Sequence, residues 1–130
     1  KIPVSFPYIP IETNSKEIEV GKSIFMLGYP SKQTGVYKKD TNLELVTDTS
    51  VIKDIFTFNK TSIDTFSSGV SPVAKQGSSG GAVLDGGKLI GLIVTTNEDQ
   101  SGGSILNAIT LSYIKNDLED NGLSIDTFLK

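Results

Sequence analysis

Residues Gln76–Thr96 read QGSSGGAVLDGGKLIGLIVTT, and the fold is read outward from them. Gly77-Ser78-Ser79-Gly80-Gly81 leads into the apolar triplet Ala82-Val83-Leu84. The chain then turns at Asp85-Gly86-Gly87 and returns as the apolar run Leu89 to Val94. Apolar runs joined by a D-G-G turn predict a β-hairpin. A flexible Gly/Ser linker would instead stand between separable domains, whereas here strand-like runs abut the loop directly. The remaining reading is that the glycines let backbone N–H groups converge on one point beside a serine hydroxyl, a cradle suited to a developing oxyanion next to a nucleophile.

Gly-Ser-Ser-Gly-Gly followed by a strand, a tight turn and a Gly-Leu-Ile strand resembles the nucleophile segment of trypsin-like serine peptidases, most closely the bacterial HtrA/Deg branch. The usual form there is Gly-Asp/Asn-Ser-Gly-Gly. The resemblance implies that Ser79 is the nucleophile and that the backbone of Gly77, Ser78 and Ser79 forms the oxyanion hole. Ser78 departs from the pattern. In chymotrypsin-type members the matching Asp pairs with a newly cut N-terminus, so a Ser there implies that this switch is not used.

Composition sets outer bounds. The 130 residues are enough for one domain with a single core. The chain contains no Cys, which excludes a disulfide framework and thiolate metal sites. It contains no His either, and a serine hydroxyl normally needs an adjacent base to become a nucleophile. The formal net charge of −3, with no basic block longer than Lys38-Lys39, gives no nucleic-acid footprint. No apolar run approaches the roughly 20 residues that span a bilayer. No cofactor or metal is expected. Because the first residue is Lys rather than Met, the start is expected to arise by cutting or by design.

The segment Ile2–Pro10, with Pro3, Pro7 and Pro10, predicts an extended surface connector whose backbone avoids regular pairing. Its P-x-x-P occurs as Pro7-Tyr8-Ile9-Pro10, a weak match to a proline-reading partner. Next, Ser23 to Leu27 is an apolar strand closed by Gly28-Tyr29-Pro30. The pattern VGKSIFMLGYP from Val20 to Pro30 resembles the first strand of the second barrel in the same peptidases.

From Gly35 to Phe66, alternating β-branched and aromatic residues predict three or four short strands, with turns near Asp40–Asn42, Lys53-Asp54 and Asn59–Ser62. The run from Asp40 to Glu44 imitates a calcium loop without its required glycine, so a solvated turn is expected. Asn59-Lys60-Thr61 has the form of a glycosylation sequon. After the hairpin, Asn97 to Gly103 reads as a polar loop and Ser104 to Ile109 as a last strand. Leu111, Ile114, Leu118 and Leu123 then recur near helical spacing, with Thr110 or Ser112 as cap and Gly122 as stop. A final strand, Ala108-Ile109-Thr110 and an amphipathic helix resemble the end of the HtrA protease domain.

The expected architecture is therefore mainly β: a six-stranded antiparallel β-barrel, the second barrel of a trypsin-like peptidase, with a C-terminal α-helix. Residues 1–16 are expected to connect to a missing N-terminal barrel, 17–110 to form the barrel, and 111–130 the helix and tail. The resemblance implies a serine endopeptidase acting on a polypeptide, with catalytic His and Asp supplied by the N-terminal barrel. This chain alone is then expected to be inactive. Lys75 and Lys88 are the available substitutes for a base, and neither matches a known dyad spacing. In the family the floor of the primary pocket lies six residues before the nucleophile, here Val73, and one wall is the strand bearing Val94, Thr95 and Thr96. No carboxylate stands at that floor, so an aliphatic side chain is implied. The competing reading is a non-catalytic peptide-binding barrel, a degenerate peptidase scaffold.

Overall fold

The computed structural model describes residues 7–30, 44–58 and 61–127. The turn at Asp40–Asn42, most of the calcium-like run, Lys38-Lys39 and the Asn59-Lys60 part of the sequon lie outside them. Six strands form: β1 Ser23–Gly28, β2 Val46–Phe56, β3 Thr65–Val70, β4 Ala82–Asp85, β5 Lys88–Glu98 and β6 Ser104–Thr110, followed by helix α1, Leu111–Asp120. They close into a barrel in the order β1-β2-β3-β6-β5-β4, with β4 pairing back onto β1 and every neighbouring pair antiparallel. The barrel is thus two three-stranded meanders joined by the loop from Ser71 to Gly81. Closure removes the unpaired edges that an open sheet would present.

Inward residues supply the core. In β1, Ile24 and Met26 are buried while Ser23 and Phe25 face out, the period-2 pattern of a half-buried strand. They pack with Ile52, Phe66, Val73, Val83, Ile90, Ile93, Leu106 and Ala108, and with Ile18, which follows a short 3₁₀ turn over Ser15–Glu17. Gly86 and Gly87 both have positive φ, 54° and 81°, between the paired Asp85 and Lys88. A two-residue loop with both φ positive matches the twist of the flanking strands.

Three local expectations are corrected. Lys53-Asp54 is no turn: β2 runs through it as one long strand, with a bulge between Ile52 and Asp54 against β3. The polar pair faces outward, and a bulge lets the strand bend around the barrel without leaving the sheet. Asn97 and Glu98 belong to β5, paired with Ile105 and Ser104, so the polar loop is only Asp99–Gly103. The proline segment does pair: Leu89 donates to the Pro10 carbonyl at 2.8 Å and accepts from Glu12 N–H at 2.9 Å. This bridge uses Pro10 only as an acceptor, so its missing N–H is no obstacle. A Lys88–Glu12 ion pair at 3.3 Å lies beside it.

Helix α1 begins where β6 ends. Thr110 is its N-cap, accepting the Tyr113 N–H at 3.0 Å, and Ser112 lies within the helix. Gly122 stops it at φ 76°, with Gly122 N–H bonded to Glu119 O and Leu123 N–H to Leu118 O. Those two bonds form a Schellman motif, which needs a left-handed residue after the cap. Leu123 therefore lies beyond the helix and is 49% exposed.

Candidate active site

The loop between β3 and β4 is a chain of tight turns. Ala74 N–H bonds to Ser71 O at 3.1 Å, Ser78 N–H to Lys75 O at 3.2 Å and Gly81 N–H to Ser78 O at 2.9 Å. Gly77 and Gly80 take positive φ values of 97° and 84°, which an L side chain rarely adopts. Two further bonds anchor the loop on β5: Gly80 N–H to Ile93 O at 2.8 Å and Ile93 N–H to Gly81 O at 2.9 Å. The result is a glycine-lined bend hydrogen-bonded to β5.

Ser79 sits at its exposed crest. Its hydroxyl donates to the Val94 carbonyl at 3.2 Å. The N–H groups of Gly77 and Ser79 have no acceptor among the described residues, whereas the intervening Ser78 N–H is committed to Lys75 O. Beside them a depression of about 270 Å³ is lined by Leu27–Tyr29 and Gly77–Ala82. Such a surface presents unpaired donors and one hydroxyl to a ligand carbonyl.

Ser78 differs from Ser79 in every respect. It is 1% exposed, and its hydroxyl has no hydrogen-bond partner among the described residues. It packs against Gly28 at the end of β1, where a Cβ on Gly28 would lie 3.0 Å from Ser78 Oγ. Gly81 is equally confined, since a Cβ there would lie 2.4 Å from Leu27 O. These close approaches explain glycine at both positions without appeal to φ. Gly28 stands at the end of an apolar strand, and a glycine in a strand is the signal of a close backbone approach.

The structure does not gather the expected pocket residues into that depression. Val73 is fully buried within the core, and Val94, Thr95 and Thr96 are exposed along β5. The edge of β5 facing β4 is instead the feature that the sequence did not reveal. Pairing with β4 ends at Ala82–Leu92, and past Val94 no strand occupies that edge among the described residues. On the other edge Thr95 is held by Asn107, whose side-chain amide donates to Thr95 Oγ1 at 3.1 Å.

Among the described residues no base is bonded to the Ser79 hydroxyl. The chain has no His, Lys75 is exposed, and Lys88 is occupied with Glu12 near the opposite end of β4 and β5. Among the described residues no group of His, Cys, Asp and Glu is arranged to hold a metal ion. No helix among them is long and apolar enough to cross a membrane.

No curated protein sequence matches the chain significantly. The family model described as Trypsin matches residues 2–116, which include all six strands, the glycine loop and the first half of α1. With that match over most of its length, and with its closed antiparallel barrel, the chain belongs to the trypsin family.

Proposed function

We propose that this chain is the C-terminal half of a serine endopeptidase of the HtrA/Deg type, with Ser79 as its nucleophile. The observation that carries this reading is the exposed Ser79 hydroxyl beside the N–H groups of Gly77 and Ser79, which have no acceptor among the described residues. In this scheme Ser79 Oγ attacks a peptide carbonyl and passes its proton to a base. The carbonyl oxygen, now negative, is received by the two N–H groups, and Ser78 holds them apart rather than donating. The protonated base then returns the proton to the leaving amine, and water releases the acyl group by the same steps in reverse.

The base and the acid that orients it would come from an N-terminal barrel outside this chain, because the chain itself has no His. An extended substrate would add to the open edge of β5 at Val94–Thr96, where backbone pairing aligns its carbonyl with Ser79. The first side chain accepted there would be small or medium aliphatic. Val94, Thr95 and Thr96 offer no carboxylate, and each buried methylene gains about 0.8 kcal/mol. Preference for cleavage after Lys or Arg would defeat that part of the reading.

A non-catalytic peptide-binding barrel is favoured by one observation, the donation of the Ser79 hydroxyl to Val94 O rather than to a base. Fluorophosphonate labelling separates the two. The complete protein is expected to label at Ser79, and this chain alone is expected not to. An unlabelled complete protein that still binds peptide would establish the scaffold instead.

A further inference from the structure

We infer that Ser78 is a positioning residue whose bulk against Gly28 sets the shape of the oxyanion loop, so that the loop is held by steric packing with no ionic or hydrogen-bonded tie from this side chain to the described residues. The inference rests on the peptidase reading above. Ser78 lies directly between Gly77 and Ser79, so any displacement of its backbone moves both unpaired N–H groups. Its own backbone is tied on each side, through Ser78 N–H to Lys75 O and Gly81 N–H to Ser78 O. Its side chain is buried, yet the hydroxyl makes no hydrogen bond among the described residues. A buried hydroxyl normally finds a partner, so polarity does not account for the residue at this position. Size does.

Against Gly28, Ser78 Oγ, Cβ and Cα lie 3.0, 3.1 and 3.4 Å from the place of an added Cβ. A methyl at Gly28 would therefore press on Ser78, which places the end of β1 directly against the loop. Among the described residues no charged side chain lines the depression around it. A carboxylate at position 78 would be buried there without a counter-charge among the described residues, a costly arrangement.

The test is a double-mutant cycle in the complete protein, read by fluorophosphonate labelling rate and by kcat and KM on a peptide substrate. Gly28→Ala should slow labelling and lower kcat at least tenfold with KM within about twofold, because the added methyl displaces the donors and leaves the open edge of β5 intact. Adding Ser78→Gly removes both the Oγ and the Cβ that the new methyl would meet, at 3.0 and 3.1 Å, and should recover at least threefold of that loss. A wild-type labelling rate in Gly28→Ala, or no recovery in the double variant, overturns the inference. If Gly28→Ala does not fold, its thermal transition replaces the rate: recovery of folding in the double variant supports the packing contact, and failure of both overturns it. An unlabelled wild-type protein would refute the peptidase reading itself, which distinguishes the two failures.

Discussion

Ser79 donates its hydroxyl to the Val94 carbonyl at 3.2 Å, two residues past Leu92, the last residue of β5 paired with β4. This contact joins the crest of the glycine loop to the open edge of a strand, so in the proposed reading nucleophile and substrate track would share one anchor. A lone hydrogen bond at an exposed site contributes about 0.5–1.5 kcal/mol. Ser79→Ala is therefore expected to shift the melting temperature only slightly while abolishing labelling of the complete protein. In the isolated chain, which lacks imidazole, labelling is expected to be absent before the substitution as well, since general-base assistance is worth about 10²–10⁴ in rate. Strong labelling of the isolated chain would reveal a base among its own residues.

Gly81 is the position where substitution should do most harm to the fold. An added Cβ would meet Leu27 O at 2.4 Å and Ser78 O at 2.8 Å, and backbone atoms cannot move aside as a side chain can. Gly81→Ala is expected to cost about 1–3 kcal/mol or more, as overpacking does. Gly86→Ala meets no atom within 4 Å, so its loss comes from its φ of 54° alone and should be smaller. Urea midpoints of the two variants would compare them. Equal tolerance of both substitutions would contradict the close approach of β1 to the loop.

The hairpin and the helix were legible because their signals are local. Asp85-Gly86-Gly87 carries the turn chemistry itself, Ile24 and Met26 alternate across β1, and Thr110 and Gly122 bracket the apolar positions of α1. What escaped was set by partners distant in sequence. Lys53-Asp54 reads as a turn until β3 is placed beside it, when it becomes an outward-facing bulge. Ser67 and Ser68 carry no hydrophobic signal, yet both are buried. Where β3 and β6 shift register, Ser68 Oγ donates to Gly69 O at 2.6 Å and accepts from Leu106 N–H at 3.2 Å, so a side chain supplies backbone satisfaction at the irregularity. At the site, the loop motif pointed to Ser79, but the open edge of β5 depends on where β4 stops. No residue in β5 announces that.

Thr110 is a junction rather than a simple cap. Its N–H bonds to Asp64 O at 2.9 Å, its hydroxyl donates to Ile63 O at 2.8 Å, and the same oxygen accepts from Tyr113 N–H. β6, the approach to β3 and α1 therefore meet at one buried oxygen. Thr110→Ala should destabilise the chain by about 1–2 kcal/mol through loss of the cap and an unsatisfied carbonyl. Thr110→Ser, which keeps the hydroxyl, should cost less. A fall in the urea midpoint with unchanged m would confirm a stability effect, and equal losses in the two variants would assign the effect to the methyl group instead.

Stability should respond to pH from both ends, for opposite reasons. Lys22 is raised above the ordinary lysine value chiefly by its 2.7 Å bond to Asp85, assisted by Glu17 and opposed by partial burial. A raised group contributes fully below its unfolded value and loses that contribution as pH rises through its folded value, so this term disappears at alkaline pH. The pair is partly exposed, and its worth is under about 1 kcal/mol. Asp99 is shifted the other way. The Ser101 hydroxyl at 2.6 Å and the Gly103 N–H at 2.8 Å hold its carboxyl below the usual range. Glu12 is likewise lowered, first by the Asn14 N–H at 2.9 Å and then with help from Lys88. Lowered carboxylates stabilise above their unfolded values and cease to do so as pH falls through the folded ones. Melting curves across pH should thus show the difference between wild type and Lys22→Met closing as pH rises into the alkaline range, and that between wild type and Asp99→Asn closing as pH falls into the acid range. A difference that stayed constant over the whole range in either variant would mean that the charge of that residue contributes nothing.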